Sequence, residues 1–244
     1  MHNSKILDNL LLNRSIWRGS KPVSKKNLPT GHRNLDVLLK GGWPKDALIE
    51  LISHQEGIGE LNLLLPTLEN HTKNDGFCVL LNPPHQLYAP AWEEANINLR
   101  QILIVRSKNY DEWLWTAETT IRHDALLLAW AGRHITRYSD LRKLKLAALH
   151  NKQNIFLFNQ VNTLSLASPA SLRLEMYSSK LHELLVVVRK SKGNYRGKSI
   201  KIMQTEVPIQ HTSLNKLIAP VYSTFPEEYL SQNPDDSVKT FSST

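Results

Sequence analysis

A single cysteine in 244 residues leaves no disulfide to be formed within the chain. Cys78 falls in the apolar run 77–81 with no base fixed beside it, so it is expected to be a buried structural thiol, the usage of a reducing cytoplasm. The ten histidines show neither C-x-x-C nor H-E-x-x-H spacing, so no metal site and no cofactor is expected. Long apolar runs are missing too. The best of them, near 125–131 and 184–188, fall far short of the roughly 20 residues a spanning helix needs. The apolar patch 6–12 is broken by Asp8 and Asn9 with no small-residue cleavage site after it, which argues against a signal peptide. Acids are in deficit, 22 against 30 Lys and Arg, giving a net charge of +8. That balance points to an anionic partner, either nucleic acid or an acidic protein face, and says nothing about the fold.

What is present centres on the stretch 28–65. It lays out a turn with a short helix, a Gly-Gly turn, one apolar strand, a Gly-bearing loop and the beginning of a helix. This is the layout of a phosphate-binding βα unit, whose loop amides point at an anion from a helix N-terminus. The loop itself is His54-Gln55-Glu56-Gly57-Ile58-Gly59-Glu60-Leu61. In G-x-x-x-x-G-K-[ST] the Lys neutralises phosphate charge and the hydroxyl holds Mg²⁺. Here only Gly59 stands on a required position, while Glu60 replaces the Lys and Leu61 the hydroxyl. A carboxylate there repels polyphosphate and is expected to occupy the positive end of the following helix itself. Pro66, placed inside a helix expected over 60–72, predicts a kink.

From residue 28 onward short apolar runs alternate with helical patterns, the mark of a parallel sheet with helices on both faces. Strands are expected over 47–52, 77–81, 101–105, 125–129 and 154–158, and helices over 34–39, 60–72, 89–95, 110–121 and 139–150. After Ser171 the period changes to two: Leu172, Leu174 and Met176 alternate with Arg173, Glu175 and Tyr177, and runs at 181–190 and 198–204 follow. These extend the sheet with antiparallel strands. The expected fold class is thus α/β, a mostly parallel sheet with an antiparallel C-terminal extension. Three regions are expected: an arm and linker at 1–27, a core at 28–207 and a mostly disordered tail at 208–244.

Thr30-Gly31, Leu35-Asp36, Gly41-Gly42, Pro44 and the strand after them resemble the start of a RecA-type core. More narrowly, Ile16-Trp17-Arg18-Gly19, Leu28-Pro29-Thr30-Gly31, Gly41-Gly42-Trp43-Pro44, Gly57-Ile58-Gly59-Glu60, Pro83-Pro84-His85 and Tyr88-Ala89-Pro90-Ala91 resemble the ImuA family. That family is RecA-like, belongs to bacterial SOS mutagenesis operons and is related to the cell-division inhibitor SulA. The resemblance implies a P-loop NTPase-type core with a degenerate nucleotide site. The family's general base falls at Pro84 and its Mg²⁺ carboxylate after Leu126-Leu127-Leu128, where this chain has Ala129-Trp130. With Lys, hydroxyl, base and metal carboxylate all replaced, nucleotide hydrolysis is expected to be absent. Gln160 matches the position of a nucleotide-sensing Gln, and the loop after it is short.

Two stretches are candidate contacts. Arg189, Lys190, Lys192, Tyr195, Arg196, Lys198 and Lys201 crowd one hairpin and suit single-stranded DNA or an acidic partner, or else form a solvated face. In the arm, Leu10, Leu11, Trp17 and Arg18 form either a hook for a partner or a segment packed on the chain's own core. The resemblance implies a non-catalytic adaptor in SOS-induced translesion synthesis, with an ImuB-like protein, an error-prone polymerase and RecA as partners. The alternatives it leaves are a SulA-like inhibitor of FtsZ and, behind that, a DNA-stimulated ATPase.

Overall fold

The computed structural model describes residues 27–132, 136–180, 183–191 and 197–203. The chain divides into two units, Met1–Val207 and Pro208–Thr244, and every described residue lies in the first. The arm and the tail expected from the sequence lie outside the described residues.

The first described segment forms a clasp. Leu28 and Trp43 exchange backbone hydrogen bonds of 2.8 and 2.7 Å across helix α1 (Arg33–Leu38), and Asp36 Oδ1 accepts from Thr30 N at 2.7 Å. The Thr-Gly and Leu-Asp pairs of the sequence are therefore the two ends of one closed turn. Trp43 is fully buried, sets its ring edge-on to Phe156 at 5.2 Å and donates its indole N–H to Thr67 Oγ1 at 2.9 Å. A large apolar body with its one polar atom satisfied is what makes such a residue an anchor.

Apolar runs then lie at the heart of a sheet. Five parallel strands, β1 (Leu48–Ser53), β2 (Cys78–Leu81), β3 (Ile102–Val105), β4 (Leu126–Trp130) and β5 (Ile155–Gln160), alternate with helices α2 (Leu65–Lys73), α3 (Ala89–Glu94), α4 (Tyr110–Arg122) and α5 (Tyr138–Asn151). Strand β6 (Leu172–Lys180) joins β1 in parallel, and β7 (Glu183–Lys190) and β8 (Ser199–Met203) continue antiparallel. Among the described residues the order is β3-β2-β4-β5-β1-β6-β7-β8. Apart from shifts of a residue or two at most ends, these are the elements that the sequence predicts; the antiparallel extension starts one strand later than expected, since β6 itself joins β1 in parallel.

Helices cover both faces, so the central strands are apolar on each side. One face buries Leu35, Trp43, Leu64, Leu68 and Trp92 against Ile49, Leu80, Leu128 and the hairpin residues Leu174 and Val186. Cys78 lies fully buried in that layer, where burial pushes its thiol up. The other face packs Trp113, Ala117 and Ile121 of α4 and Leu141, Leu144 and Ala148 of α5. Asn109 begins α4 by accepting from Glu112 N at 2.9 Å, while the Glu112 carboxylate accepts from Lys108 N at 2.7 Å, a variant of the capping box.

One expectation is corrected. Pro66 does not kink a helix running from residue 60; it starts one. Helix α2 begins at Leu65 with Pro66 in its first turn, and residues 59–65 form tight turns, with Asn62 N donating to Gly59 O at 3.0 Å and Leu64 N to Leu61 O at 2.8 Å. A proline ring collides with the carbonyl four residues back, so the α-helix cannot extend past it toward Glu60 and the chain takes i→i+3 bonds instead.

Candidate functional site

The loop 54–61 leaves the carboxyl end of β1, beside the ends of β2 and β4, at the edge of an open α/β sheet where such folds bind ligands. Its two glycines hold the turn: Gly57 has φ +76 and Gly59 φ +90, a region that disfavours side chains. Glu60 turns back into this loop rather than out to solvent. It is only 7% exposed, its Oε1 accepts from Gly57 N at 3.1 Å, and its Oε2 is buried with no hydrogen-bond partner. The expected capping of the helix end by Glu60 is thus corrected: the carboxylate takes an amide of the loop, because the helix itself begins five residues later.

Gly57, Gly59, Glu60 and Leu61 form one wall of a cleft of about 190 Å³, and Pro83, Pro84, His85, Leu87 and Trp130 form the rest. The structure therefore brings together residues of the loop 54–61, Pro84 and Trp130, the positions at which the resemblance implied a phosphate loop, a base and a metal carboxylate. Trp130 stacks on Phe158 with centroids 4.2 Å apart and rings within 2° of parallel. Trp113 donates its indole N–H to the Trp130 carbonyl at 2.9 Å, fixing that strand end. Where a phosphate loop offers ammonium, hydroxyl and open amides, this cleft is lined by one carboxylate, pyrrolidine rings, an imidazole and an indole. At its mouth the exposed pair His85 and Glu56 lies 3.7 Å apart, Nε2 to Oε2. Gln55 is exposed, and Ile58 packs against the core. No group of three or more His, Cys, Asp or Glu among the described residues is placed to hold a metal ion.

His54, the first residue of the loop, faces away from the others. Its Nε2 lies 2.8 Å from Glu175 Oε1 on β6, and its ring stacks on Tyr177 at 4.5 Å. Arg189 of β7 donates Nε to Glu175 Oε2 and reaches the Tyr177 hydroxyl at 3.4 Å. Burial of Glu175, whose side chain is 2% exposed, works to raise its pKa, but hydrogen bonds from Tyr177, His54 and Arg189 outweigh it and hold the carboxyl below its usual range.

A second buried network lies one pleat along. Arg173 Nε meets Glu50 Oε2 at 2.6 Å, and Ser168 Oγ donates to Glu50 Oε1 at 2.6 Å. The rest of the Arg173 guanidinium donates to the carbonyls of Thr163, Leu164 and Leu166. Lys190 and Lys145 take the carbonyls of Ser168 and Pro169 at 2.6 and 2.7 Å. Burial, and then repulsion from Lys145, push Lys190 down. Three cations thereby pin the short loop after Gln160, which itself is exposed at the end of β5.

The candidate hairpin therefore carries acids that the run 189–201 does not show. Arg189 is held by Glu175, and Lys201 Nζ lies 3.1 Å from Glu183. Lys198 is exposed just before β8. Lys192, Tyr195 and Arg196, like Leu10, Leu11, Trp17 and Arg18, lie outside the described residues. Sequence reasoning missed both buried networks. The signal for the second was Glu50 in the middle of an apolar strand, a carboxylate that cannot be buried without a partner.

No family model matches the chain. It is similar to Protein RecA of Bartonella quintana (strain Toulouse), 28% identical over 137 residues, covering 52% of this chain and 39% of that protein. Protein RecA of Brucella anthropi is 28% identical over 112 residues, 46% of this chain and 31% of its own. For Protein RecA of Cereibacter sphaeroides (strain ATCC 17023) the figures are 27% over 139 residues, 52% and 40%. The match thus spans about two fifths of these relatives or less. Together with the mostly parallel eight-stranded sheet it marks the α/β core as RecA-like.

Proposed function

We propose that this chain is a non-catalytic RecA-like adaptor in SOS-induced translesion DNA synthesis, acting by holding other macromolecules. The observation that carries the first half is the cleft: Glu60 on the Gly57 amide, with Pro84 and Trp130 on the positions where a RecA-type ATPase keeps its base and its metal carboxylate. Losing the groups that neutralise charge, bind Mg²⁺ and activate water removes several independent contributions of about 10²-fold or more each. The motifs that resemble the ImuA family support the second half and suggest the partners: an ImuB-like protein, an error-prone polymerase and RecA.

In this reading the arm residues Leu10, Leu11, Trp17 and Arg18 contact protein, and the basic hairpin contacts single-stranded DNA. Lys192 and Arg196 are the cations to test, because Arg189, Lys190 and Lys201 already serve the fold. Changing both to Gln is expected to lessen the salt slope of single-strand binding by about 1.4, at roughly 0.7 per phosphate contact. An unchanged slope removes the hairpin from the interface. The adaptor role is tested by pull-down of an ImuB-like protein with the full chain and with Trp17→Ala. Capture of the wild type and loss with the variant supports it. Filamentation of cells on overexpression, without capture, favours a SulA-like inhibitor instead.

A further inference from the structure

Trp43, Trp92, Trp113 and Trp130 are buried, but Trp115 is 68% exposed, because Trp113, Ala117 and Ile121 hold the opposite side of α4 against the sheet. Asp111 and Glu118 lie one turn to either side of it on the same helix face, and Glu118 shares an exposed pair with Arg122 at 3.5 Å. The neighbouring helix α5 shows the opposite chemistry. Tyr138, Leu146 and Leu149, each at least half exposed, form one stripe with Arg142 at helical spacing, with Lys143 beside it and Arg137 and Lys152 at its ends. Asp140, the one acid of that helix, is buried and lies 3.7 Å from Lys143. Single apolar residues are ordinary on a surface, whereas an indole, a phenol and two leucines on adjoining helices mark a contact with another macromolecule. Both helices cross between parallel strands on one face of the sheet, so they run side by side in the same direction. The Tyr110 hydroxyl donates to Asp140 Oδ2 at 3.0 Å, which ties their first turns and sets Trp115 close to the height of Lys145.

We propose that these two faces meet in a twofold dimer of this chain, with α4 of each copy lying on α5 of the other. A twofold axis parallel to the helices keeps heights and exchanges sides. It lays each Trp115 over the hollow between Arg142, Lys145, Leu146 and Leu149 of the other copy, a knob entering a hole of one helix. The Arg142 guanidinium then lies against the indole, and Asp111, one turn before Trp115, comes opposite Arg142. A closed twofold pair is the commonest form of homo-oligomer and makes every such contact twice. A second copy is favoured over an unrelated protein because each face finds its complement on the same molecule: acids around an indole on α4, cations around leucines on α5, both facing the same way. Nucleic acid suits α5 less well. Arg142 and Lys143 match phosphates, but Leu146 and Leu149 give a base no ring to stack on.

Sedimentation velocity of the full chain, free of nucleic acid and over the micromolar range, tests this. A monomer–dimer equilibrium is expected, and Trp115→Ser is expected to weaken it by about thirtyfold or more, the effect of losing a central aromatic anchor. Arg142→Glu and Asp111→Lys each set like charges against one another in the dimer and are expected to leave monomers. Both positions are exposed, so neither change threatens the fold. An equimolar mixture of the two variants is expected to dimerise again, because every contact between positions 111 and 142 then joins opposite charges. A wild type that stays monomeric overturns the proposal and needs no variant to fold. So does a dimer indifferent to Trp115→Ser, growth beyond the dimer with concentration, or a mixture that stays monomeric. A monomeric wild type whose single-strand binding falls with Arg142→Glu assigns the α5 face to nucleic acid instead.

Discussion

Glu50 lies between Ile49 and Leu51 in the middle of the sheet; Arg173 is its counter-charge, and Ser168 satisfies its other oxygen. Replacing Arg173 with Met leaves that carboxylate buried without a counter-charge, which is expected to lower stability by about 3–5 kcal/mol. The double variant Glu50→Gln, Arg173→Met is expected to recover part of this; urea denaturation midpoints for both variants check it. Glu175 makes a prediction about pH. Its folded pKa lies below its unfolded value, so the folded chain binds fewer protons and the contribution is present above the unfolded carboxylate range, then lost as pH falls through the folded pKa. The stability gap between wild type and Glu175→Gln is therefore expected to be largest near neutral pH and to close in acid; denaturation midpoints at pH 7 and below pH ~4, the reference carboxylate value, measure it. The alternation at 172–177 put Arg173 and Glu175 on one face of their strand. It could not show that this face is covered, because nothing local reveals that the loop after Gln160 folds back over it.

At the scale of elements, backbone geometry separates two glycines that look equivalent in the sequence. A Cβ on Gly42 (φ +107) would lie 1.9 Å from Leu28 O, inside the clasp, whereas one on Gly57 (φ +76) meets nothing within 4 Å. Gly57→Ala is expected to cost only the strain of a left-handed residue, about 1–2 kcal/mol. Gly42→Ala adds a clash with backbone that cannot move without opening the Leu28–Trp43 bridge, so its thermal transition is expected to fall well below that of Gly57→Ala. Similar transitions for the two would contradict the clasp as a rigid element. The elements themselves were legible because burial on both faces demands continuous apolar runs, and β1, β2, β4 and β5 supply them. The start of α2 was not. Leu61 to Leu65 suit a helix by composition, and only the reach of the Pro66 ring toward the carbonyl of Asn62 decides that they form turns.

On the scale of the whole molecule, the chain has the mostly parallel sheet of a RecA-like core and gathers Glu60, Pro84 and Trp130 around one cleft. These positions could be picked out in the sequence, but their convergence on one small space could not. Nor could the division of the loop, with His54 turned toward the hairpin and Glu60 into the cleft, since that depends on partners 121 residues apart. Part of the positive charge serves the fold, with Arg173 buried and Lys145 and Lys190 bonded to loop carbonyls. The account stands on the claim that the cleft does not take a magnesium nucleotide, and equilibrium titration of the full chain with MgATP tests it most directly. It predicts no saturable binding at millimolar nucleotide, with or without single-stranded DNA, and no phosphate release. Saturable binding that is lost when Gly59 is replaced, or steady turnover by the purified chain, would contradict it.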